Sequence, residues 1–349
     1  MKIEVELAPL QNALDIITKL APPSSGNVNF TSNGKRVSIW AVADLSRATC
    51  TVPCTVDREG EFAIPLQALR DAVKGRDNLT LVFKNAVLTV TAGKYKAELS
   101  TVDVLPADSL DEEEATEWKL SEDQSAWLKR ALRDVALKPT TLLSSWMPVG
   151  VKLTDKGAFV ACYDTQHMSW AQSKEVKGDF ECVLPLETMT NVIDIFHKIP
   201  FVIKQTRSRI EVKSKLFDVK LNTPTLEDLP SLADVQAKIK EASKIDSSTF
   251  QFSKAALLTF MDNARAVIGK ERAEVVIAGG KSINVSIRTG QGHVAATLAG
   301  QGKGEFKIDY EYLLECVSKA NEDVQLNVVQ GAFASMKQPA SSTIIALNQ

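Results

Sequence analysis

Gly60-Glu61-Phe62 returns as Gly178-Asp179-Phe180 and again as Gly304-Glu305-Phe306, at spacings of 118 and 126 residues in a chain of 349. Self-similarity at a near-constant period decides architecture before any single motif does. Solenoid units run to about 20–50 residues, so this period suits a whole small domain instead. Each copy stands just before an amphipathic stretch, and each of those is followed by strand-like runs.

Outward from the first copy, residues 2–7 read as a strand and 9–20 as a helix. Leu10, Ala13, Leu14 and Ile17 follow the i, i+3, i+4, i+7 spacing, and Pro9 suits a first turn, where its missing N–H costs nothing. Asn33-Gly34, between strands at 28–32 and 36–43, is a strong hairpin signal. The triplet then leads to a helix with Leu66, Leu69 and Val73 on one face, and strands follow at 79–84, 87–92 and 96–101.

The second unit keeps this order. Ser121 reads as the N-cap of a helix with the apolar face Leu128, Ala131, Leu132 and Val135. Strands at 149–154 and 158–163 precede the triplet, and a helix with Leu186, Met189, Ile193 and Phe196 follows it. In the third unit Ser253 caps a helix with Leu257, Phe260, Met261 and Ala264, and the later helix carries Tyr310, Leu313 and Val317. Two helices and about seven or eight strands per unit predict an α+β fold, with helices on one face of antiparallel sheet. The acidic run Asp111-Glu112-Glu113-Glu114 and the polar stretch 223–248, with a short helix near 233–242, read as joints. The predicted domains are 1–117, 118–247 with its C-terminal linker, and 248–349.

The composition is that of a soluble globular protein, 44% hydrophobic and 24% charged. No run reaches the ~18 apolar residues of a membrane helix. Glu4 and Glu6 stand where a signal peptide needs an apolar core, so the expectation is a cytoplasmic protein without a membrane partner. The five cysteines (Cys50, Cys54, Cys162, Cys182, Cys316) are odd in number and scattered, as reduced thiols are. A net charge of −2 argues against holding nucleic acid by bulk electrostatics, although a locally basic face stays compatible with it.

Motifs with a chemical look resolve into turns. Gly280-Lys281-Ser282 resembles the end of a phosphate loop, but the required earlier glycine is Val275 and the following segment alternates like a strand. Gly290-Gln291-Gly292 is a weak dinucleotide fingerprint with no crossover helix after it. His167, His197 and His293 never fall at metal-ligand or nucleophile–base spacing. The residues give no reason to propose an enzyme, a metal or a cofactor.

Three α+β units in one chain of this length resemble the bacterial DNA polymerase sliding clamp, the polymerase III beta subunit family. The resemblance covers essentially the whole chain. Leu99-Ser100-Thr101-Val102-Asp103-Val104-Leu105-Pro106-Ala107-Asp108 resembles the family's Ser-Thr-Leu-Pro-Ala-Asp phrase at its first domain joint. Residues 161–168 occupy the place of its Ala-Thr-Asp-Gly-His-Arg-Leu turn. Asp164 keeps the acid and Met168 stands for the Leu, while the Gly, His and Arg are replaced. Such strength in architecture and weakness in motif fits a divergent or phage-encoded clamp.

The resemblance implies a processivity factor in DNA replication. Two chains would join head to tail into a ring of six domains around duplex DNA, with helices lining the hole and sheets outside. A clamp loader would open the ring with its own ATP, and a DNA polymerase would be tethered. Because a ring holds DNA by topology, it needs only a mildly basic hole. The residues expected to face DNA are Lys129, Arg130 and Arg133, opposite the apolar face of their helix, with Lys19 and, on a flank, Arg265. The turn residues Lys138, Lys270 and Arg272 join them. The family's partner-peptide pocket carries over to Met147, Pro148, Tyr163, Thr165, Gln166 and Met168, with Thr343, Ile345 and Leu347 from the last strand. The alternative is a three-domain protein-interaction scaffold that keeps this fold without encircling DNA.

Overall fold

The computed structural model of the chain describes residues 1–21, 23, 25–34, 36–43, 46–104, 116–136, 147–164, 167–197, 201–205, 209–214, 217–222, 231–269, 272–320, 323–338 and 340–347. Among these, seven helices pack with antiparallel sheet: α1 (Leu7–Leu20), α2 (Leu66–Val73), α3 (Glu122–Val135), α4 (Leu186–Phe196), α5 (Leu232–Ala242), α6 (Lys254–Ile268) and α7 (Tyr310–Lys319). None is long and apolar enough to cross a membrane.

The helices form where the apolar period predicts. α1 buries Leu10, Ala13, Leu14 and Ile17, and also Ile16 and Leu20. At Ser121 the hydroxyl accepts from the Gln124 amide at 3.3 Å while Gln124 Oε1 accepts from the Ser121 amide at 2.8 Å, a reciprocal cap. Ser253 caps α6 by accepting from the Ala256 amide. α7 starts at Asp309, whose carboxylate accepts from the amides of Glu311 and Tyr312.

The repeated triplet does something more local than introduce a helix. Gly60 and Gly304 each open a six-residue strand, Gly60–Pro65 and Gly304–Asp309, and in the second unit that strand is Phe180–Pro185. α2, α7 and α4 each begin on the very next residue. The triplet's Phe62, Phe180 and Phe306 are all buried, so the conserved chemistry within the repeat is a core anchor at the strand's start. Gly304 has φ +99°, a region closed to side-chain-bearing residues.

The described residues fall into two compact units, Met1–Ser125 with Asn191–Glu227, and Ala126–Thr190 with Asp228–Gln349. In the first, an eight-stranded sheet runs in the order Thr116–Leu120, Phe201–Gln205, Arg209–Lys213, Phe217–Asn222, Ser46–Pro53, Arg36–Ala43, Asn27–Asn33, Gly60–Pro65. A five-stranded sheet beside it ends at Tyr95–Ser100. In the second unit, a nine-stranded sheet runs Phe180–Pro185, Pro148–Thr154, Gly157–Tyr163, His167–Ser173, Ser342–Ala346, Phe333–Lys337, Asp323–Val329, Ser248–Ser253, Gly300–Gln301. A four-stranded sheet ends at Gly292–Leu298. All four sheets are open.

Two ladders therefore join strands far apart in sequence. Phe217–Asn222 pairs antiparallel with Ser46–Pro53, and Ser342–Ala346 pairs antiparallel with His167–Ser173. The two glycine motifs are hairpin turns as read: Gly279 pairs with Ile283, and Thr289 with Gly292.

Candidate partner-binding groove and basic helix faces

In the second unit, alternation along each strand assigns every side chain to one face of the nine-stranded sheet. Ala158, Val160 and Cys162 point to one face, while Phe159, Ala161 and Tyr163 point to the other, where α5 lies. α5 places Leu232 and Val235 in one cluster with Phe159, Ala161 and Tyr163, and Met168, Trp170 and Ile239 pack against it. Leu232 comes so close that a Cβ on Gly150 would stand 2.1 Å from Leu232 Cδ1, so any side chain there would have to displace the leucine methyl. The start of α5 is fixed by a full capping box between Ser231 and Asp234, whose hydrogen bonds hold the Asp234 carboxyl below its ordinary pKa.

Beside α5 the same face opens into a groove of about 260 Å³. Trp170, Ile344, Val329 and Phe333 line it from the sheet, and Ile239 and Ile245 from the α5 side. Ile245 is 50% exposed, a large apolar side chain left in water at the lip. Directly opposed residues share a face, and Met168 opposes Ile344 while Trp170 opposes Ser342.

These registers sort the predicted pocket residues. Tyr163 and Met168 lie on the α5 side of the sheet; Tyr163 is buried under the helix, and burial pushes its hydroxyl up to about 12. Pro148 is two residues from Gly150 and shares its face. Met147 is buried, and its carbonyl accepts from the Leu186 amide that begins α4. Thr343 is buried against the joint, its hydroxyl donating to Ser169 Oγ at 3.2 Å. Ile345 and Leu347 belong to the core packed around α6 and α7; of that strand Ser342, Thr343 and Ile344 line the groove, and Ile344 shares a sheet face with Met168. Thr165 and Gln166 lie outside the described residues.

The expected cationic residues separate in the same way. Lys19 and Arg130 are exposed, Lys129 is half-buried, and Arg133 is 78% exposed, 3.5 Å from Asp134. Arg265 on α6 engages Tyr310, with Asp262 at 3.6 Å, and both raise its already high pKa. Arg272 is committed to structure: its Nε donates to Asp309 Oδ2 at 2.7 Å, and the same carboxylate caps α7. Lys138 and Lys270 lie outside the described residues.

The groove residues Trp170, Ile239, Ile245, Phe333, Lys337 and Ile344 are absent from the sequence-based set. Only Ile239 and Ile344 carry any trace of the groove in the sequence pattern. Leu232, Val235 and Ile239 recur at i, i+3, i+7, and strand parity pairs Met168 with Ile344 once the joint's register is known.

No protein-family model and no curated protein matches the chain in sequence. Its structure is similar to solved ones. The DNA polymerase III subunit beta from Pseudomonas aeruginosa superposes with a TM-score of 0.74 at 13% identity, covering 100% of both chains. The DNA polymerase III beta subunit from Thermotoga maritima gives 0.75 at 13%, covering 100% of this chain and 99% of that one. The DNA polymerase sliding clamp from Bacillus subtilis gives 0.72 at 13%, with the same coverage. End to end, the chain has the fold of the DNA polymerase III beta sliding clamps.

Proposed function

We propose that the chain is a DNA sliding clamp, a non-enzymatic processivity factor that encircles duplex DNA as a head-to-tail homodimer and tethers a replicative polymerase. The observation that carries this is a joint used twice and left open a third time. Read as three repeats with boundaries near 117 and 247, the chain pairs the last strand of the second repeat, Phe217–Asn222, with the third strand of the first repeat's hairpin series, Ser46–Pro53. It pairs the last strand of the third, Ser342–Ala346, with the corresponding His167–Ser173 of the second. The remaining strands of the two kinds, Tyr95–Ser100 and Gly292–Leu298, are both sheet edges. Their half-buried faces, Tyr95, Ala97 and Leu99 on one and Val294 and Ala296 on the other, invite cover by a further strand. Pairing them between copies makes a heterologous contact, which closes into a ring if the rotations add up to a full turn.

Within such a ring Lys19, Lys129, Arg130 and Arg133 are the residues we assign to the DNA backbone. A clamp loader would open the ring, the α5 face would take partner peptides, and the cytoplasm is the expected compartment. The scaffold reading draws on the internal commitments of Arg265 on α6, which engages Tyr310 and Asp262, and of Arg272 beyond its end, which engages Asp309.

One experiment separates them. The wild-type chain is loaded onto nicked circular DNA and compared with a variant carrying Lys129→Glu, Arg130→Glu and Arg133→Glu. Retention of the wild type on circles, its loss on linearisation, and failure of the variant to load are expected. Wild-type binding that ignores linearisation, or a variant that loads normally, would overturn the encircling role.

A further inference from the structure

We propose that the seam between copies is keyed by charge, with Glu98 of one copy directly opposite His293 of the next. This rests on the reading of Tyr95–Ser100 and Gly292–Leu298 as the edges that meet, and adds the register in which they do. The first internal joint, Phe217–Asn222 against Ser46–Pro53, supplies that register. The row through the triplet phenylalanine runs Phe62, Phe30, Ile39, Cys50 in the first repeat. In the third it runs Phe306, Ile277, Val285, Ala296, so Ala296 holds the place of Cys50. On the other side of the joint, Ala97 opposes Val90 and then Leu81, as Val219 opposes Val212 and then Ile203. Leu81 and Ile203 in turn oppose Ile3 and Trp118, equally far ahead of α1 and α3, so Tyr95 holds the place of Phe217. Phe217 opposes Cys50. Carried to the seam, Tyr95 opposes Ala296 and Ala97 opposes Val294. The apolar rows then meet on the helix side, and Glu98 meets His293 on the outer face.

Charge and strand length select this register. The second joint is staggered differently: Thr343, in the place of Ala97, opposes Ser169, in the place of Gly292. That stagger would pair only residues 95–97 within the two strands and set Lys96 against His293. The first joint's register pairs residues 95–99 with 292–296 and sets opposite charges together. The opposition is particular to the seam, because at the same position of the first joint Lys220 opposes Arg47. Glu98 and His293 are both exposed in a lone copy. Lys96 bonds Glu98 at 2.6 Å and holds its carboxyl below the ordinary range, so Glu98 keeps its charge in mild acid. The charged groups facing His293 are Arg288, directly opposite on the neighbouring strand, and across the seam Glu98 with Lys96 diagonal to it. Arg288 is there with or without a second copy, whereas pairing brings Glu98 directly opposite and Lys96 only at the longer diagonal. Protonation of His293 therefore tightens the seam. Association is strongest below the ordinary imidazole pKa of about 6.5 and relaxes as pH rises through it.

The test uses the full chain, sedimentation equilibrium and two charge reversals. Glu98→Lys sets a second cation against His293, and His293→Glu sets two carboxylates together. Each alone is expected to weaken self-association about five-fold or more, since both seams of the ring carry the change. Mixed in equal amounts, the two variants are expected to recover wild-type affinity as a heterodimer. In a head-to-tail ring one seam then joins the two substituted positions and the other is wild type. Misfolded chains could not recover on mixing. From about pH 8 to about pH 5.5 the wild type is expected to associate about two-fold to five-fold more tightly, and His293→Gln to lose that dependence. Single variants that associate like the wild type, a mixture that stays apart, or a wild-type dimer indifferent to pH would overturn the charge key alone. A wild type that stays monomeric throughout would overturn the homodimer on which the key rests.

Discussion

Ala86 occupies a left-handed backbone position, φ +60°, beside Asn85 at +53°. The pair forms the two-residue turn between Asn78–Lys84 and Val87–Ala92, and Lys84 pairs directly with Val87. Asparagine tolerates this region, whereas for alanine it costs about 1–2 kcal/mol. The turn is held because the Ala86 carbonyl accepts from both the amide and the hydroxyl of Thr101, at 3.2 and 2.9 Å. Ala86→Gly is therefore expected to stabilise the chain by about 0.5–1 kcal/mol, read as a raised urea midpoint at unchanged slope. A lowered midpoint would show that alanine's stiffness in the unfolded chain outweighs the strain. The thiols are a contrasting case. Burial pushes Cys50 and Cys316 up to about 12 and Cys182 well up, which keeps them protonated and inert at neutral pH, as packing residues. Single residues were also where the sequence was least legible. In Ser342-Thr343-Ile344-Ile345-Ala346-Leu347 the apolar residues are adjacent rather than alternating, so nothing in the string says which isoleucine faces the core. A one-residue shift of parity exchanges the two faces, and only the pairing of Met168 with Ile344 decides it.

The helices were legible because a 3.6-residue period survives in the sequence, as it does in α1, α3 and α6. What they touch was not. The C-terminal turn of α1 offers the Lys19 carbonyl to Asn191 Nδ2 of α4 at 3.2 Å. At the C-terminus of α3 the Ala136 carbonyl accepts from Lys319 of α7, and the Asp134 carbonyl from Ser341. Both are the same device: the first helix of one repeat ends on a donor carried by the second helix of the next. Such ends need partners, because the last carbonyls of a helix have none within it. α5 was legible as a short polar helix in a linker, but three apolar positions are too few to announce a seat on a sheet. Burying Leu232 and Val235 supplies about 1.5–3 kcal/mol each, and that seat is the main thing holding α5 down. Val235→Asp should thus free it. Hydrogen exchange is expected to accelerate across residues 232–242 while strand Gly157–Tyr163 keeps its protection; uniform acceleration of both would mean that α5 is integral to the sheet's core.

For the whole molecule, the triple phrase revealed the repeats, but not that sheets run on from one repeat into the next. Strand neighbours are set by register between segments more than a hundred residues apart, and no local pattern encodes them. The open edges follow from that continuity. Ala97 stands half-buried on the helix side of Tyr95–Ser100, where a carboxylate is tolerable in a lone copy but would be enclosed once another strand pairs alongside. Ala97→Asp is expected to halve the mass measured by light scattering while leaving the circular dichroism spectrum and thermal midpoint near wild type. A variant that keeps the wild-type mass would place the association elsewhere.

The ladder between His167–Ser173 and Ser342–Ala346 has a mechanical side as well. A partner pulling on the groove at Ile344 pulls on a strand flanked by neighbours from both repeats. A load directed along that strand reaches its hydrogen bonds together, in shear, instead of peeling them open one at a time. A tether anchored there transmits tension into two repeats at once, with the last strand of the chain acting as a tendon.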